Sequence, residues 1–432
     1  MTREMKNSGV QWIGDIPKDW EVRRLRTLGA FSASGIDKNI VEGEPLVHII
    51  NYVDVYNNKK FILGKKDYMI VSAPRAKVIE HQVRVGDMIF TPSSETKEDI
   101  GVSAVIIENL PNTAYSYHVL RFRFFNEDEV NINYRKYLCN NRYVGQYFTT
   151  RSTGTIRQTL SRLDFKDCFV ILPPISEQKA IADILDAKCG EIDGLLADLD
   201  SEVKTLAEYK KSLIAETVTR GLNPNAPMKQ SGIPWADTIP AHWKVIANKY
   251  IMRKKKEIVP VYSGQDIISL SMNGVIVRDL DAGGKMPTSF NGYQQIYPGN
   301  LLMCLFDIDV TPRCIGLIKN KGLTSPAYSQ FEMIGDTYAP YYYYFYLKMD
   351  NTKELVHLSK NMRHSLNEEQ FGMIKTIQPP MEEQVAIADF LDTKCAAIDQ
   401  AITDKTTQIE TLKAYKASLI YEYVTGKKQV AL

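Results

Sequence analysis

The sequence predicts an α+β protein built twice over: two globular domains joined by two long helices, which pair as an antiparallel coiled coil about an internal pseudo-two-fold axis. Three observations predict it. A tryptophan-bearing block near the N-terminus returns past the middle of the chain. A Pro-Pro block followed by a long helical pattern also occurs twice. The regions between them carry short β-branched and aromatic runs broken by Gly, Pro and Asn, which gives them a strand-rich character.

The first block runs Ser8-Gly9-Val10-Gln11-Trp12-Ile13-Gly14-Asp15-Ile16-Pro17-Lys18-Asp19-Trp20-Glu21-Val22 and returns as Ser231-Gly232-Ile233-Pro234-Trp235-Ala236-Asp237-Thr238-Ile239-Pro240-Ala241-His242-Trp243-Lys244-Val245. Both copies read S-G-x-x-W-x-x-x-I-P-x-x-W-x-V, and together they hold all 4 tryptophans. A second block is weaker. It pairs Gly86-Asp87-Met88-Ile89-Phe90 with Gly299-Asn300-Leu301-Leu302-Met303, Ile100-Gly101 with Ile315-Gly316, and Ala114-Tyr115-Ser116 with Ala327-Tyr328-Ser329. In the third, Arg157, Leu160 and Phe165 match Arg363, Leu366 and Phe371. Then Pro173-Pro174-Ile175-Ser176-Glu177-Gln178 matches Pro379-Pro380-Met381-Glu382-Glu383-Gln384. One constant offset carries this match through Tyr209 and Tyr415, so neither helix has an insertion relative to the other.

A Pro-Pro pair resists helix and the residue beside it can start one. Beyond it apolar residues recur every seven. Leu185, Ile192, Leu199, Leu206 and Leu213 form one series, with Cys189, Leu196 and Val203 four residues after its members. The second copy has Leu391, Ile398, Lys405, Leu412 and Leu419, with Cys395, Ile402 and Ile409. That 3–4 spacing marks a coiled-coil seam, and at 1.5 Å per residue such helices run about 65–70 Å. Gly190 and Gly194 weaken the first helix by roughly 1 kcal/mol each relative to Ala, so it needs a partner. Antiparallel pairing would put Cys189 and Cys395 at opposite ends of the bundle, as small core residues rather than a disulfide.

At 432 residues the chain exceeds one compact core, since a domain takes roughly 100–200. Its 44% apolar and 24% charged residues are those of an ordinary globular protein. No apolar run of membrane-spanning length and no signal-like leader appears, so a cytoplasmic location is expected. The 6 cysteines lack C-x-x-C spacing and the 6 histidines lack ligand spacing, so no metal site is expected. The formal net charge of +2 hides a division. Segments 176–220 and 382–425 each carry −4, leaving +10 on the rest. Basic globular parts between acidic helices suggest a polyanionic partner, whose counterions are released on binding. No phosphate loop, glycine-rich cofactor loop or catalytic histidine pattern is present, so no catalytic residue is assigned.

The signature P-P-(I/M)-x-E-Q-x-A-I-A-x-(F/I)-L-D before a long helix, occurring twice, resembles the specificity subunits of Type I restriction–modification enzymes. So does the twice-occurring S-G-(V/I)-x-W-x-x-x-I-P-x-x-W. The resemblance covers residues 8 to 425. It implies a non-catalytic subunit with two target-recognition domains, each reading one half of a bipartite, asymmetric sequence in double-stranded DNA. It implies two modification subunits and two restriction subunits as partners, with S-adenosylmethionine, ATP and Mg carried by those partners and no cofactor here. The implied domains are 1–172 (N-terminal segment and first recognition domain), 173–222 (central spacer helix), 223–378 (second recognition domain) and 379–432 (distal spacer helix), the recognition cores being about 20–155 and 243–361. A fused nuclease–methyltransferase would need domains this length does not contain. A bare coiled-coil scaffold would leave the basic domains without a purpose.

Candidate DNA contacts are polar and basic, since phosphate contacts position a protein and base edges specify it. Arg151, Ser152, Thr153, Arg157 and Gln158 lead into the first Pro-Pro block, and Lys360, Asn361, Arg363 and His364 into the second. Arg157 and Arg363 share one repeat position, as a phosphate clamp requires; a loop merely tying domain to helix fits as well. Arg121 and Arg123 alternate with Val119, Phe122 and Phe124, which places them on an exposed strand face. Lys254 and Lys255 lie in the densest basic run, Arg253–Lys256, expected to meet the DNA backbone or only solvent.

Overall fold

The computed structural model describes residues 3–58, 60–281, 287–359 and 364–430. Contacts divide the chain into two compact units, Met1–Leu199 with Thr407–Leu432, and Asp200–Thr406. The division falls inside both long helices rather than at the Pro-Pro pairs. An isolated helix is marginal in water, so each half-helix is held by the unit whose core it enters.

In the first unit a five-stranded sheet has the order Gly29–Ser32, Leu120–Phe124, Met88–Phe90, Ser103–Ile106, Ile62–Leu63, antiparallel except for the last pair. Beside it Leu46–Ile50 runs between Thr113–Tyr115 (parallel) and Met69–Ser72 (antiparallel). Phe31, Phe90, Phe122 and Phe165 fill the space behind the larger sheet. Two helices follow, Ile132–Cys139 and Arg142–Arg151, each started by an asparagine whose side chain accepts from backbone N–H groups: Asn131 from Asn133 and Tyr134, Asn141 from Val144.

The second unit repeats the scheme on a four-stranded sheet, Met252–Lys255, Ser329–Met333, Leu301–Met303, Ile315–Leu317. Helix Ala339–Asn351 buries Tyr341, Tyr342 and Tyr346 completely. Gly86 and Gly299 hold equivalent places. Both have φ in the left-handed region, +90° and +84°, and both donate from N–H to an isoleucine carbonyl, Ile106 at 2.8 Å and Ile318 at 2.9 Å. Two other pairs of the weak block are not equivalent. Tyr115 ends a strand, whereas Tyr328 lies in the loop before Ser329–Met333. Gly101 is a left-handed turn residue, whereas Gly316 is inside a strand. The connection is shorter in the second unit, so one offset cannot align it throughout.

The long helices are Ile175–Arg220 and Met381–Val424, of 46 and 44 residues. In the first unit Leu185, Cys189 and Ile192 share a core with Leu419, Ile420 and Tyr423, flanked by half-buried Leu196 and Leu412. Leu199 is half-buried, and Lys416 bonds Asp193 at 2.6 Å. In the second unit Leu391, Cys395 and Ile398 are buried, and Leu206 and Leu213 half-buried. There Lys210 bonds Asp399 at 2.6 Å while Lys405 bonds Glu202. One residue number rises as its partner's falls, so the helices run antiparallel. Lys405, the polar break in the apolar series, is answered by an acid on the facing helix. All six cysteines are free and buried. Among the described residues no helix is long and apolar enough to cross a membrane, and no group of three or more His, Cys, Asp or Glu could hold a metal.

Candidate nucleic-acid interface

Each unit is locked to its helix by the residues that make the repeated signature recognisable. Glu177 accepts from the indole Nε1 of Trp20 at 3.2 Å and from Arg3 at 2.7 Å. Glu383 accepts from Trp243 Nε1 at 2.9 Å and pairs with His242. Gln178 takes the Asn131 amide on Oε1 at 2.8 Å and donates to the Glu129 and Pro173 carbonyls. Gln384 repeats this with the Tyr338 amide and the Asp336 and Pro379 carbonyls. About two turns on, Asp186 accepts from the Tyr137 hydroxyl and Asp392 from that of Tyr344, both at 2.6 Å. The E-Q pair of P-P-x-x-E-Q thus clasps the helix to the domain.

The segment that leads into the first clasp is a pinned turn. Thr153 and Thr159 exchange backbone bonds at 3.1 and 2.8 Å, and Gln158 Nε2 donates to the Gly154 carbonyl at 2.7 Å. Gly154 has φ +137°, and a Cβ there would come 2.0 Å from the Arg157 carbonyl oxygen, so only glycine fits. Ser152 and Gln158 are buried, Ser152 Oγ donating to the Thr149 carbonyl at 3.0 Å. Their hydrogen-bonding capacity is spent inside the protein, contrary to the expectation that the whole stretch offers donors outward. Arg151, Thr153 and Arg157 are exposed, and Arg151 lies over the Tyr147 ring.

Arg121 corrects the exposed-face expectation. It is 9% exposed, donates to the Glu80 and Gln82 carbonyls, and sits over the Tyr115 ring. Burial lowers its pKa, the direction expected for a desolvated cation. Arg123 is half-buried and makes a two-pronged pair with Asp87, each bond 2.7 Å. The alternation rule failed because Leu120–Phe124 lies between two other strands, with the protein covering both faces of it.

In the second unit Lys254 pairs with Glu368 at 3.4 Å, and Lys255 Nζ lies 3.9 Å from the centre of the Tyr297 ring. His364 has φ +43°, and its Nδ1 is 3.1 Å from the Ser359 hydroxyl. Lys360, Asn361 and Arg363 lie outside the described residues. Sequence reasoning missed the surroundings of Arg157. Its Nε donates to the Ser93 hydroxyl at 3.1 Å, and its guanidinium lies over the Tyr52 ring, 5.4 Å from the centre. His118 is near: burial lowers its pKa first, then the positive charges of Lys38 and Arg157. Residues 52, 93, 118 and 157 meet only through the tertiary fold, so no local pattern could have grouped them.

No protein-family model matches the chain. A protein of Methanocaldococcus jannaschii provisionally named type I restriction enzyme MjaX specificity subunit is 23% identical over 445 residues, covering 97% of this chain and 96% of the relative. The MjaVIII specificity subunit of the same organism is 25% identical, over 66% of this chain and 68% of the relative. A solved chain from a study of complex assembly and conformational transition in the type I R-M system superposes with a TM-score of 0.70 at 12% identity, over 96% of this chain and 99% of that one. In sequence this chain is similar to type I restriction specificity subunits, and in fold to a chain of a type I R-M system. The match takes in nearly the full length of both chains, so the duplication itself is part of the likeness to specificity subunits. At 12% identity the structural match speaks for the fold alone. What a specificity subunit of this sequence would read must come from its own side chains.

Proposed function

We propose that this chain is the DNA-reading, non-catalytic component of a type I restriction–modification complex. Each unit reads one half of a bipartite, asymmetric double-stranded target, and the helices carry modification and restriction subunits. The observation that carries this reading is the likeness to one named specificity subunit from end to end. It is supported by the concentration of positive charge outside the helices. S-adenosylmethionine, ATP and Mg would belong to the partner subunits. The test is to combine the purified full chain with its modification subunit and map methylated adenines. Methylation should require both proteins and fall in a two-part, non-palindromic sequence with a fixed gap. Methylation by either protein alone at the same sites would reject it.

The helices also offer a place for partners. Tyr209 and Tyr415, at matching positions of the two helices, are 55% and 52% exposed, although large aromatics are usually covered. Interface anchors are enriched in tyrosine. Changing both to Ala is expected to weaken association with the modification subunit by about tenfold or more, a loss of at least one anchor's worth, while leaving the unfolding midpoint unchanged. Titration by light scattering or calorimetry checks it; equal affinity for wild type and double variant would show that the partner docks elsewhere.

A further inference from the structure

We infer that Arg157 reads a guanine base edge in the half-site met by the first unit, and is not a phosphate clamp. This rests on the DNA-reading function proposed above. Two conditions set Arg157 apart from Arg121 and Arg123. Arg121 is buried with its Nη1 on the Glu80 and Gln82 carbonyls, and Arg123 is forked onto Asp87. Arg157 is exposed, and among the described residues only its Nε has a protein acceptor, Ser93 Oγ. Both terminal nitrogens remain available as a pair.

The fork is also held in place. The Tyr52 ring lies beneath the guanidinium and is itself stacked on Tyr56, with centres 5.1 Å apart. Arg157 belongs to the pinned turn closed by the Thr153–Thr159 bonds, whose neighbouring residue Ile156 is 91% exposed, so the turn projects into solvent. An arginine fixed by a stack and a tether loses little freedom on forming two parallel bonds. Paired bonds from arginine to O6 and N7 of guanine are the commonest specific base contact. A phosphate contact needs only charge, and a mobile side chain supplies that.

The local charge favours a base over a phosphate. Tyr56, Ser94 and Thr96 all donate to Asp99, so a carboxylate is held two side chains away from the guanidinium. Partial burial would raise the Asp99 pKa, but these three bonds lower it below the ordinary value, and the group is ionised at neutral pH. Asp99 and Glu95 both act electrostatically on Tyr52. Two anions beside the site oppose a phosphate, whereas the edge of a guanine carries only partial charges.

Lysine at the position separates the two roles, because it keeps the charge and removes the fork. The full chain with its modification subunit is offered randomised duplexes, and the bound sequences are read for wild type, Arg157→Lys and Arg157→Ala. The wild type should select G at one position of one half-site. Arg157→Lys should lose that preference by about tenfold or more, as expected for one bidentate base contact, with the other half-site and the slope of log K against log salt unchanged. Retained preference in Arg157→Lys, or an Arg157→Ala loss that lysine fully restores, would overturn the inference and make the residue a phosphate contact. A wild-type complex that selects no two-part sequence would instead remove the DNA-reading function itself. Because Arg157 is exposed, both variants should fold as the wild type does, which a thermal scan shows.

Discussion

Replacing Trp243 by alanine should cost the second unit about 3–5 kcal/mol, the range for deleting a large buried aromatic. Trp243 is fully buried, so most of that loss is apolar burial and cavity. The rest comes from position. Its Nε1 donates to Glu383 at the start of the second long helix, at 2.9 Å. Its six-membered ring lies against Gly221, where the first long helix ends at φ +74°, and a Cβ on that glycine would come 3.0 Å from the ring. One indole therefore clasps the start of one helix and the end of the other. Trp20 does the same in the first unit, with Glu177 and with Gly426 at φ +70°. Trp243→Phe keeps most of the ring but leaves Glu383 without its N–H, so a loss of only about 1–2 kcal/mol is expected. Denaturant unfolding of the full chain, followed by far-UV circular dichroism because a fluorescent probe has been removed, should show one of two transitions moving. A Trp243→Ala shift below about 1 kcal/mol would mean that the indole does not join the helices.

The same residues explain what could be read in advance. Glu177, Gln178 and Asp186 lie within about three turns of one helix, and Glu383, Gln384 and Asp392 repeat them at the same spacing. Helix spacing is rigid, so the pattern survived duplication without a gap and was visible in one dimension. The heptads were legible for the same reason, down to Lys405, where the seam turns polar and Glu202 answers it. The reason for the signature was not legible. Its partners, Trp20, Asn131 and Tyr137, are 47 to 157 residues away along the chain from the helix residues they bond.

Strands obey weaker local rules, and there the reading went astray. Alternation puts Arg121 outside only if one face of its strand is wet, yet the face opposite Phe122 is covered by the Tyr115 ring and the Glu80 and Gln82 carbonyls. Loop lengths differ between the units, so Ala114-Tyr115-Ser116 was paired with residues of another role. Counting basic residues also overstates what a polyanion can meet. Arg121, Arg123, Lys136 and Lys348 all face internal acceptors. The candidate interface could be narrowed to Arg157 only when Tyr52 and Ser93 were seen beside it.

Arg135 makes the opposite case to Arg157, and the two together test the division of labour. Arg135 is 1% exposed and donates to three carbonyls, Val130 at 3.0 Å, Gly86 at 2.7 Å and Glu127 at 2.8 Å, as well as to the Glu127 carboxylate at 2.7 Å. Its guanidinium lies 4.0 Å from the centre of the Phe124 ring. Gly86 is needed there twice over, for its φ of +90° and because a Cβ would come 2.4 Å from Arg135 Nη1. Leucine at 135 would match much of the volume but leave the three carbonyls facing it with nothing to accept from. At about 1–3 kcal/mol for each buried group left unpaired, less some relaxation, Arg135→Leu should destabilise the first unit by about 3–4 kcal/mol. The Glu127 carboxylate adds little to this, since its side chain is 54% exposed and water replaces the lost partner. Below its unfolding transition the variant should retain the wild-type sequence preference, because no donor of Arg135 faces outward. Arg157→Lys should do the reverse, keeping the transition and losing one base of the target. If Arg135→Leu unfolded like wild type while changing the bound sequence, the buried hub would have to be reassigned to the DNA surface, and the separation of structural from reading arginines would fall with it.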